Sequence, residues 1–340
     1  MLSNTVAVLV PVLFVLLLGY FAWRVKAFDT DQVAGINELA LDFALPASLF
    51  VGIVSIPRSQ LAQDASFALA MLIDLVGLYV VALVVGLRVL RLATSPAALF
   101  ALGASFPAAP FFGPAVLGGL FGARSATAIA TTAIIGNLVL MPVTVVVLEA
   151  ASRARHRNPR ALQVVVAAGR MSTGTGNLRE SNSAQVATRT VIRNSLVQAA
   201  KQPYVLAPLV ALMLVLIGIR IPALINSMLN LIGQTTSGVS LFVGGLLLAA
   251  YSLKLNGAVA LNVILKSVVQ PALLFGFIRL LGVPNALGRE GVVAAALPSA
   301  VVAPMLAARY GTYQAEAGST MLLTTALMMA VVPVSMLAAG

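Results

Sequence analysis

Ser48-Leu49-Phe50-Val51-Gly52 returns 192 residues later as Ser240-Leu241-Phe242-Val243-Gly244. Two more pairs keep nearly the same spacing. Pro107, after Ser105-Phe106, is matched by Pro298 after Ala296-Leu297, and Pro142-Val143-Thr144 is matched by Pro333-Val334-Ser335. A period this long lies far outside the roughly 20–50 residues of solenoid repeats, so it reads as two copies of half a protein. Of the 340 residues, 60% are hydrophobic and 9% charged, with a mean hydropathy of +1.02. A soluble domain carries roughly 25% charged residues, so the chain reads as an all-α polytopic membrane protein. An internal duplication in such a chain is a mark of secondary transporters.

Apolar windows long enough to span about 30 Å of hydrocarbon fall near 4–23, 37–56, 67–90, 97–121 and 125–149. After a polar gap come 203–220, 233–252, 258–282, 289–308 and 314–338. The count predicts ten transmembrane helices, five in each copy. An odd number per copy inserts the second copy upside down, which makes the duplication a 5+5 inverted repeat. The expected organisation is therefore a first five-helix repeat over 1–149, a basic linker over 150–202 and a second, inverted repeat over 203–340. The N-terminal run Thr5–Ala22 has no basic stretch before it and reads as a retained first helix rather than a signal peptide.

The formal charge of +11 does not point to nucleic acid. Arg24, Lys26, Arg88, Arg91, the arginines of 153–160, Arg170, Arg179, Arg189, Arg193, Lys201, Lys254 and Arg309 all fall on one side of the ten windows. The other side holds Arg58, Arg124, Arg220, Arg289 and, at a helix end, Arg279. Positive-inside bias makes the first side cytoplasmic and puts both termini outside the cytoplasm, with a bacterial inner membrane as the expected location. Within the linker, the run Ser172–Asn177 reads as mobile. Residues 185–202, with Arg189, Arg193 and Lys201 at helical spacing, read either as solvated chain or as a surface helix beside anionic lipid. With no cysteine and a single histidine, His156, the sequence offers no disulfide and no metal constellation, and no cofactor is expected.

The fourth window reads Ser105-Phe106-Pro107-Ala108-Ala109-Pro110-Phe111-Phe112-Gly113-Pro114, and the ninth carries Leu297-Pro298-Ser299-Ala300-Val301 and then Pro304. Each interior proline removes an amide donor and clashes with the carbonyl four residues back, at about 3 kcal/mol in a soluble helix. In hydrocarbon, broken backbone survives only where protein covers it or where it lines a watery cavity. The reading is two broken crossover helices, four and nine, whose half-helix N-termini meet near the midplane and favour an anion. The alternative is a set of packing kinks. The predicted substrate-binding residues are Ser105, Phe106, Pro107, Ala108, Ala109 and Pro110 on one side, and Pro298, Ser299, Ala300 and Val301 on the other.

Ionisable residues inside the windows are few, because each costs several kcal/mol unless paired or wet. Asp42, Asp74 and Lys266 are the candidate coupling residues. Asp74 and Lys266 occupy equivalent positions in the two copies and could pair, while Asp42, one turn before Pro46, could either exchange a proton or be a structural carboxylate. Glu38 and Glu149 sit near helix ends, where snorkelling or capping is the expected use. Thr131-Thr132 and Thr324-Thr325 are expected to bond the preceding turn, and Gln270-Pro271 and Asn137 are weaker polar candidates. No phosphate-binding loop, and no nucleophile with a base at suitable spacing, is present, so an enzyme is not expected.

Leu18-Gly19-Tyr20 after Pro11, Ala44-Leu45-Pro46-Ala47-Ser48-Leu49-Phe50, and Lys201-Gln202-Pro203 leading to Gly218-Ile219-Arg220-Ile221-Pro222 resemble the auxin efflux carrier family. Leu297-Pro298, Ala307-Ala308-Arg309-Tyr310-Gly311 and Ser319-Thr320 through Thr324-Thr325 extend the resemblance to the end. Among its members the chain most resembles the bacterial malonate-transporter-like ones. The resemblance implies a scaffold of helices 1, 2, 6 and 7, a mobile transport domain of helices 3–5 and 8–10, elevator-type motion and a homodimer. Plant members carry an asparagine just after the first crossover proline, where this chain has Ala108, and Pro110 and Pro114 are extra. That departure points away from indole acids and toward a smaller carboxylate held by backbone amides with Ser105 and Ser299. The expected function is secondary transport of a small organic anion, malonate or a similar carboxylate, with proton or sodium as coupling ion and membrane lipids as surroundings. The alternatives are a sodium-coupled symporter of the bile acid type, a membrane sensor using the basic linker, and a gated channel.

Overall fold

A computed structural model describes residues 2–55, 65–157, 201–219 and 221–339. The linker readings over 172–177 and 185–200 lie outside these residues. The first half contains α1 (Leu2–Arg24), α2 (Thr30–Leu39), α3 (Leu45–Val54), α4 (Ala65–Arg88), α5 (Thr94–Ser105), α6 (Ala109–Phe121), α7 (Ala126–Ile135) and α8 (Met141–Arg157). The second contains α9 (Pro203–Ile217), α10 (Ala223–Gly233), α11 (Thr235–Ala250), α12 (Gly257–Ile264), α13 (Gln270–Leu280), α14 (Asn285–Ala295), α15 (Val302–Arg309) and α16 (Gln314–Ala338). The helix that enters the polar gap runs on to Arg157, past the expected boundary at 149, because nothing in Glu149–Arg157 breaks a helix.

Among the described residues, six stretches are long and apolar enough to cross a membrane: Thr30–Val54, Ala65–Arg88, Thr127–Ser152, Ala223–Ala250, Gly257–Leu280 and Gln314–Ala338. Leu13–Arg24, Phe111–Phe121 and Pro203–Ile217 are shorter apolar helices. The fourth and ninth windows cannot join the six, since each is split into two half-helices, α5/α6 and α14/α15.

Three wide π turns interrupt the long stretches, at Ala40–Ala44, Gly136–Leu140 and Leu265–Val269. Each ends two residues before a proline: Pro46, Pro142 and Pro271. The cause is local. The proline ring has no amide to donate and pushes against the carbonyl four residues back, so the turn before it opens by one residue. The three opened turns carry Asp42, Asn137 and Lys266, which places polar side chains where the backbone is already irregular.

Helix starts follow capping rules. Asp29 and Gln32 form a reciprocal capping box at α2, with bonds of 2.8 and 2.9 Å, and Asn256 accepts from the Val259 amide at α12. Helix α9 ends on Gly218 in the left-handed region, at φ 85°. In the core, α1 lies directly against α11, with Gly19 meeting the Phe242 carbonyl and Gly245 the Leu16 carbonyl. Helix α3 packs on α9 and α10, and α4 on α5 and α13. Leu224, Leu231, Leu255, Leu280 and Leu337 are each more than 70% exposed, so the outer face is as apolar as the core.

Candidate functional site

Helices α5 and α14 end, and α6 and α15 begin, at one buried point where the two broken segments pair with each other. Pro107 and Ser299 form an antiparallel bridge. The Ala108 amide donates to the Pro298 carbonyl at 2.8 Å, and the Ala300 amide donates to the Phe106 carbonyl at 2.9 Å. The bridge is two-fold symmetric in itself, and it relates 106, 107 and 108 to 298, 299 and 300. At the crossover Pro107 therefore corresponds to Ser299, one residue away from the proline-to-proline match suggested by sequence. The Ala108 and Ala300 amides, expected to face an anion, are committed to each other's segments. Those of Ala109 and Val301 take no part in the bridge. The Ala108 carbonyl then accepts from the Phe111 and Phe112 amides, and the Ala300 carbonyl from the Ala303 amide, which starts the two outgoing half-helices.

Ser105, Phe106, Pro107, Ala108, Ala109, Pro298, Ser299, Ala300 and Val301 are all buried; Pro110 lies in the first turn of α6. The Ser105 hydroxyl donates to the Ala101 carbonyl at 2.8 Å, so its proton is used within α5. The Ser299 amide donates to Thr324 Oγ1 at 3.1 Å. Thr324 and Thr325 bond back to their own helix, as do Thr132 and Asn137. The Phe106 ring lies against Gly136, in the π turn between α7 and α8. A methyl added there would overlap the ring. Gly136→Ala is expected to lower stability by about 1–3 kcal/mol through overpacking, and Phe106→Leu in the same chain to recover most of it. Thermal melts of the single and double variants check this.

A broken helix exposes carbonyls at the end of its first half, and hydrocarbon offers them no partner. The stretch spanning α12 and α13 supplies two. Lys266 Nζ donates to the Ala295 carbonyl at 2.6 Å, where α14 ends, and Gln270 Nε2 donates to the Ser105 carbonyl at 2.6 Å, where α5 ends. A cation at a helix C-terminus also complements the helix dipole. Lys266 is fully buried, and Asp74, on α4, is 1% exposed. Gln270 and then Lys266 are the groups nearest in effect to Asp74, yet neither of its carboxylate oxygens meets a donor with full hydrogen-bond geometry among the described residues. Asn262, which the sequence did not single out, donates to the Phe100 carbonyl at 2.9 Å. With Ser299 it flanks Gly103, whose missing side chain leaves room for both. Its signal in the sequence was only an amide in an otherwise apolar window.

Asp42 lies elsewhere. It accepts from Arg309 Nη1 at 2.7 Å, and Arg309 also reaches Gln202 Oε1 at 3.4 Å and lies over the Tyr204 ring at 5.6 Å. Tyr310 Oη donates to Glu149 at 2.8 Å, and because α8 runs on to Arg157, Glu149 lies in mid-helix with a specific partner rather than near a helix end. Burial first, then Tyr204 and Glu149, push the Tyr310 hydroxyl well above its usual range, so it keeps the proton it donates. Gln314 donates to Tyr251, and Lys254 pairs with Glu316 at 3.0 Å. These bonds bring the starts of α9 and α16 to the same end of the molecule as the middle of α8 and the close of α11 and α15.

Comparison with known proteins agrees with this architecture. A family model described as "Membrane transport protein" matches residues 5–336. The uncharacterized transporter YfdV of Escherichia coli K12 is 32% identical over 319 residues, covering 92% of this chain and 90% of its own length. The YfdV proteins of Escherichia coli O157:H7 and Shigella flexneri match with the same figures. A multi-helix apolar chain with this match over nearly its whole length is a membrane transporter and a polytopic integral membrane protein: it belongs to the membrane transport protein family, that of the auxin efflux carriers.

Proposed function

We propose that the protein is a secondary transporter of a small organic anion, malonate or a similar short carboxylate, working by elevator-type alternating access in a bacterial inner membrane. The carrying observation is the self-paired crossover. Two interrupted helices meet through a two-fold backbone bridge at the offset of the sequence repeat, and the amides of Ala109 and Val301, together with Ser299, lie beside it. On this reading α2 with α3, α5 with α6, α7 with α8, α10 with α11, α12 with α13, and α14 with α15 each make one span. With α1, α4, α9 and α16 they give ten, arranged as a 5+5 inverted repeat.

Two further observations support it. The helix ends gathered around Arg309 are those that alternating spans would bring to one side, the side rich in arginine and lysine. That side is cytoplasmic, with both termini opposite. The two copies of the repeated pentapeptide also meet different surroundings. A side chain at Gly244 would contact Met321 at 2.9 Å and Val301 at 3.3 Å, whereas Gly52 has nothing within 4 Å among the described residues. One copy is packed against the crossover and the other is open, as expected of one of two alternating states. Helices 1, 2, 6 and 7 serve as the scaffold and dimer interface. Asp74 and Lys266 are the coupling pair. Because Asp74 is buried with neither carboxylate oxygen bonded among the described residues, it is the group best placed to take up and release a proton, and proton coupling is favoured over sodium.

Short carboxylates are expected to raise the melting temperature of the purified protein, and malonate-loaded proteoliposomes to accumulate external labelled malonate by counterflow. Stabilisation by cations or neutral amphiphiles alone, with no counterflow of any carboxylate, would overturn the anion assignment. A response to an imposed pH gradient but not a sodium gradient identifies the coupling ion.

A further inference from the structure

Arg309 lines a cavity of about 300 Å³ that lies apart from the crossover and is bounded by Trp23, Asn37, Glu38, Tyr251 and Gln314. Asn37 is 4% exposed; its amide nitrogen donates to the Met305 carbonyl at 3.2 Å, which fixes the orientation of the group. Its carbonyl oxygen is then an acceptor with no partner among the described residues. A buried acceptor left unpaired costs roughly 1–3 kcal/mol, so the position favours a ligand that brings a donor.

The guanidinium supplies the complementary half. It has five N–H donors, and the bonds to Asp42 and Gln202 engage one each on its two terminal nitrogens. The Arg309 and Asp42 side chains are 25% and 23% exposed. The pair is only partly withdrawn from water, so a carboxylate entering the cavity can compete with Asp42 for the same guanidinium. Arg24, Lys26 and Lys254 lie at chain positions on the same side, but so do Asp29, Asp31 and Glu316, the last paired with Lys254, so the attraction for an anion is that of Arg309 itself. Glu38 at the cavity wall opposes a second negative charge.

We propose that this cavity is a docking site for a short, singly charged carboxylate carrying one hydrogen-bond donor. Arg309 binds the carboxylate in place of Asp42, and Asn37 Oδ1 accepts the donor. Asp42 is thereby a built-in competitor. When a ligand occupies the cavity, the tie between the π turn after α2 and the end of α15 is released, so binding loosens contact between these two elements. The proposal rests on the anion reading above.

The test is binding of glycolate, acetate and malonate to the full chain in detergent, read by calorimetry and thermal shift. Asp42→Asn is expected to tighten glycolate binding at least threefold by removing the competitor, and Arg309→Gln to weaken it at least tenfold. Arg309→Lys, which keeps the charge, replaces Arg309→Gln if that variant does not fold and should fall between. Asn37→Leu should abolish the preference for glycolate over acetate. Wild-type protein that binds no carboxylate would overturn both this site and the anion reading. Binding by wild type that is unchanged in Asp42→Asn and in the Arg309 variants would overturn this site alone and leave the crossover as the locus.

Discussion

Gly245→Val is expected to leave almost no correctly folded protein. The position on α11 faces the Leu16 carbonyl of α1, and even a single added carbon would lie 2.9 Å from the Tyr20 amide nitrogen and 3.0 Å from the Leu16 carbonyl carbon. Those atoms are backbone within a helix, so no rotamer change relieves the overlap and the two helices must separate. Gly19 makes the reciprocal approach to Phe242 and Leu246, so the contact is closed from both sides. Ordinary overpacking costs about 1–3 kcal/mol. Parting a helix pair packed through glycines forfeits the dispersion along its length as well, which in a membrane is the main attraction holding helices together. Fluorescence-detected size exclusion and thermal melts of Gly245→Val and Gly19→Val check it. A monodisperse peak with an unchanged melting temperature would show that the helices are not locked through these two positions.

Lys266→Met is expected to be the most damaging single change near the crossover. It removes the donor to the Ala295 carbonyl where α14 ends, and it takes away the positive charge that acts on Asp74. Leaving the Ala295 carbonyl unpaired where no water reaches costs about 1–3 kcal/mol, and loss of the nearby positive charge leaves the buried Asp74 carboxylate less balanced. Asp74→Asn in the same chain should therefore restore a large part of the stability lost, although neither single nor double variant should couple flux to a pH gradient. The expected melting-temperature loss for Lys266→Met is on the order of 10 °C. If the double variant melts below Lys266→Met, the two residues are not electrostatically coupled.

Much of the fold was legible because its signals are local. The proline clusters at Pro107–Pro114 and Pro298–Pro304 announced two interrupted helices, and Asp74 and Lys266 stood out as charges in apolar windows. Pro46, Pro142 and Pro271 each sit just after an opened turn, for the same steric reason. Details of the candidate site were less legible. Which residue of each broken segment faces which depends on a bridge between positions 192 apart, and the one-residue shift from the proline match is invisible without it. Asp42 could be read as a proton carrier or a structural carboxylate; its partner, Arg309, lies 267 residues away. Asn262 and Asn37 gave no more signal than an amide in an apolar stretch, because a lone amide has no periodicity, and its use depends on which carbonyl the fold brings to it.

By itself the sequence determined a membrane chain and the places where its helices break, since hydropathy and proline act over a few residues. Tertiary structure alone decided that the breaks pair with each other, that Lys266 and Gln270 satisfy the two exposed helix ends, and that Asp42 belongs to Arg309. Those are bonds between distant segments, and in a medium without water each buried polar group takes the partner that packing delivers.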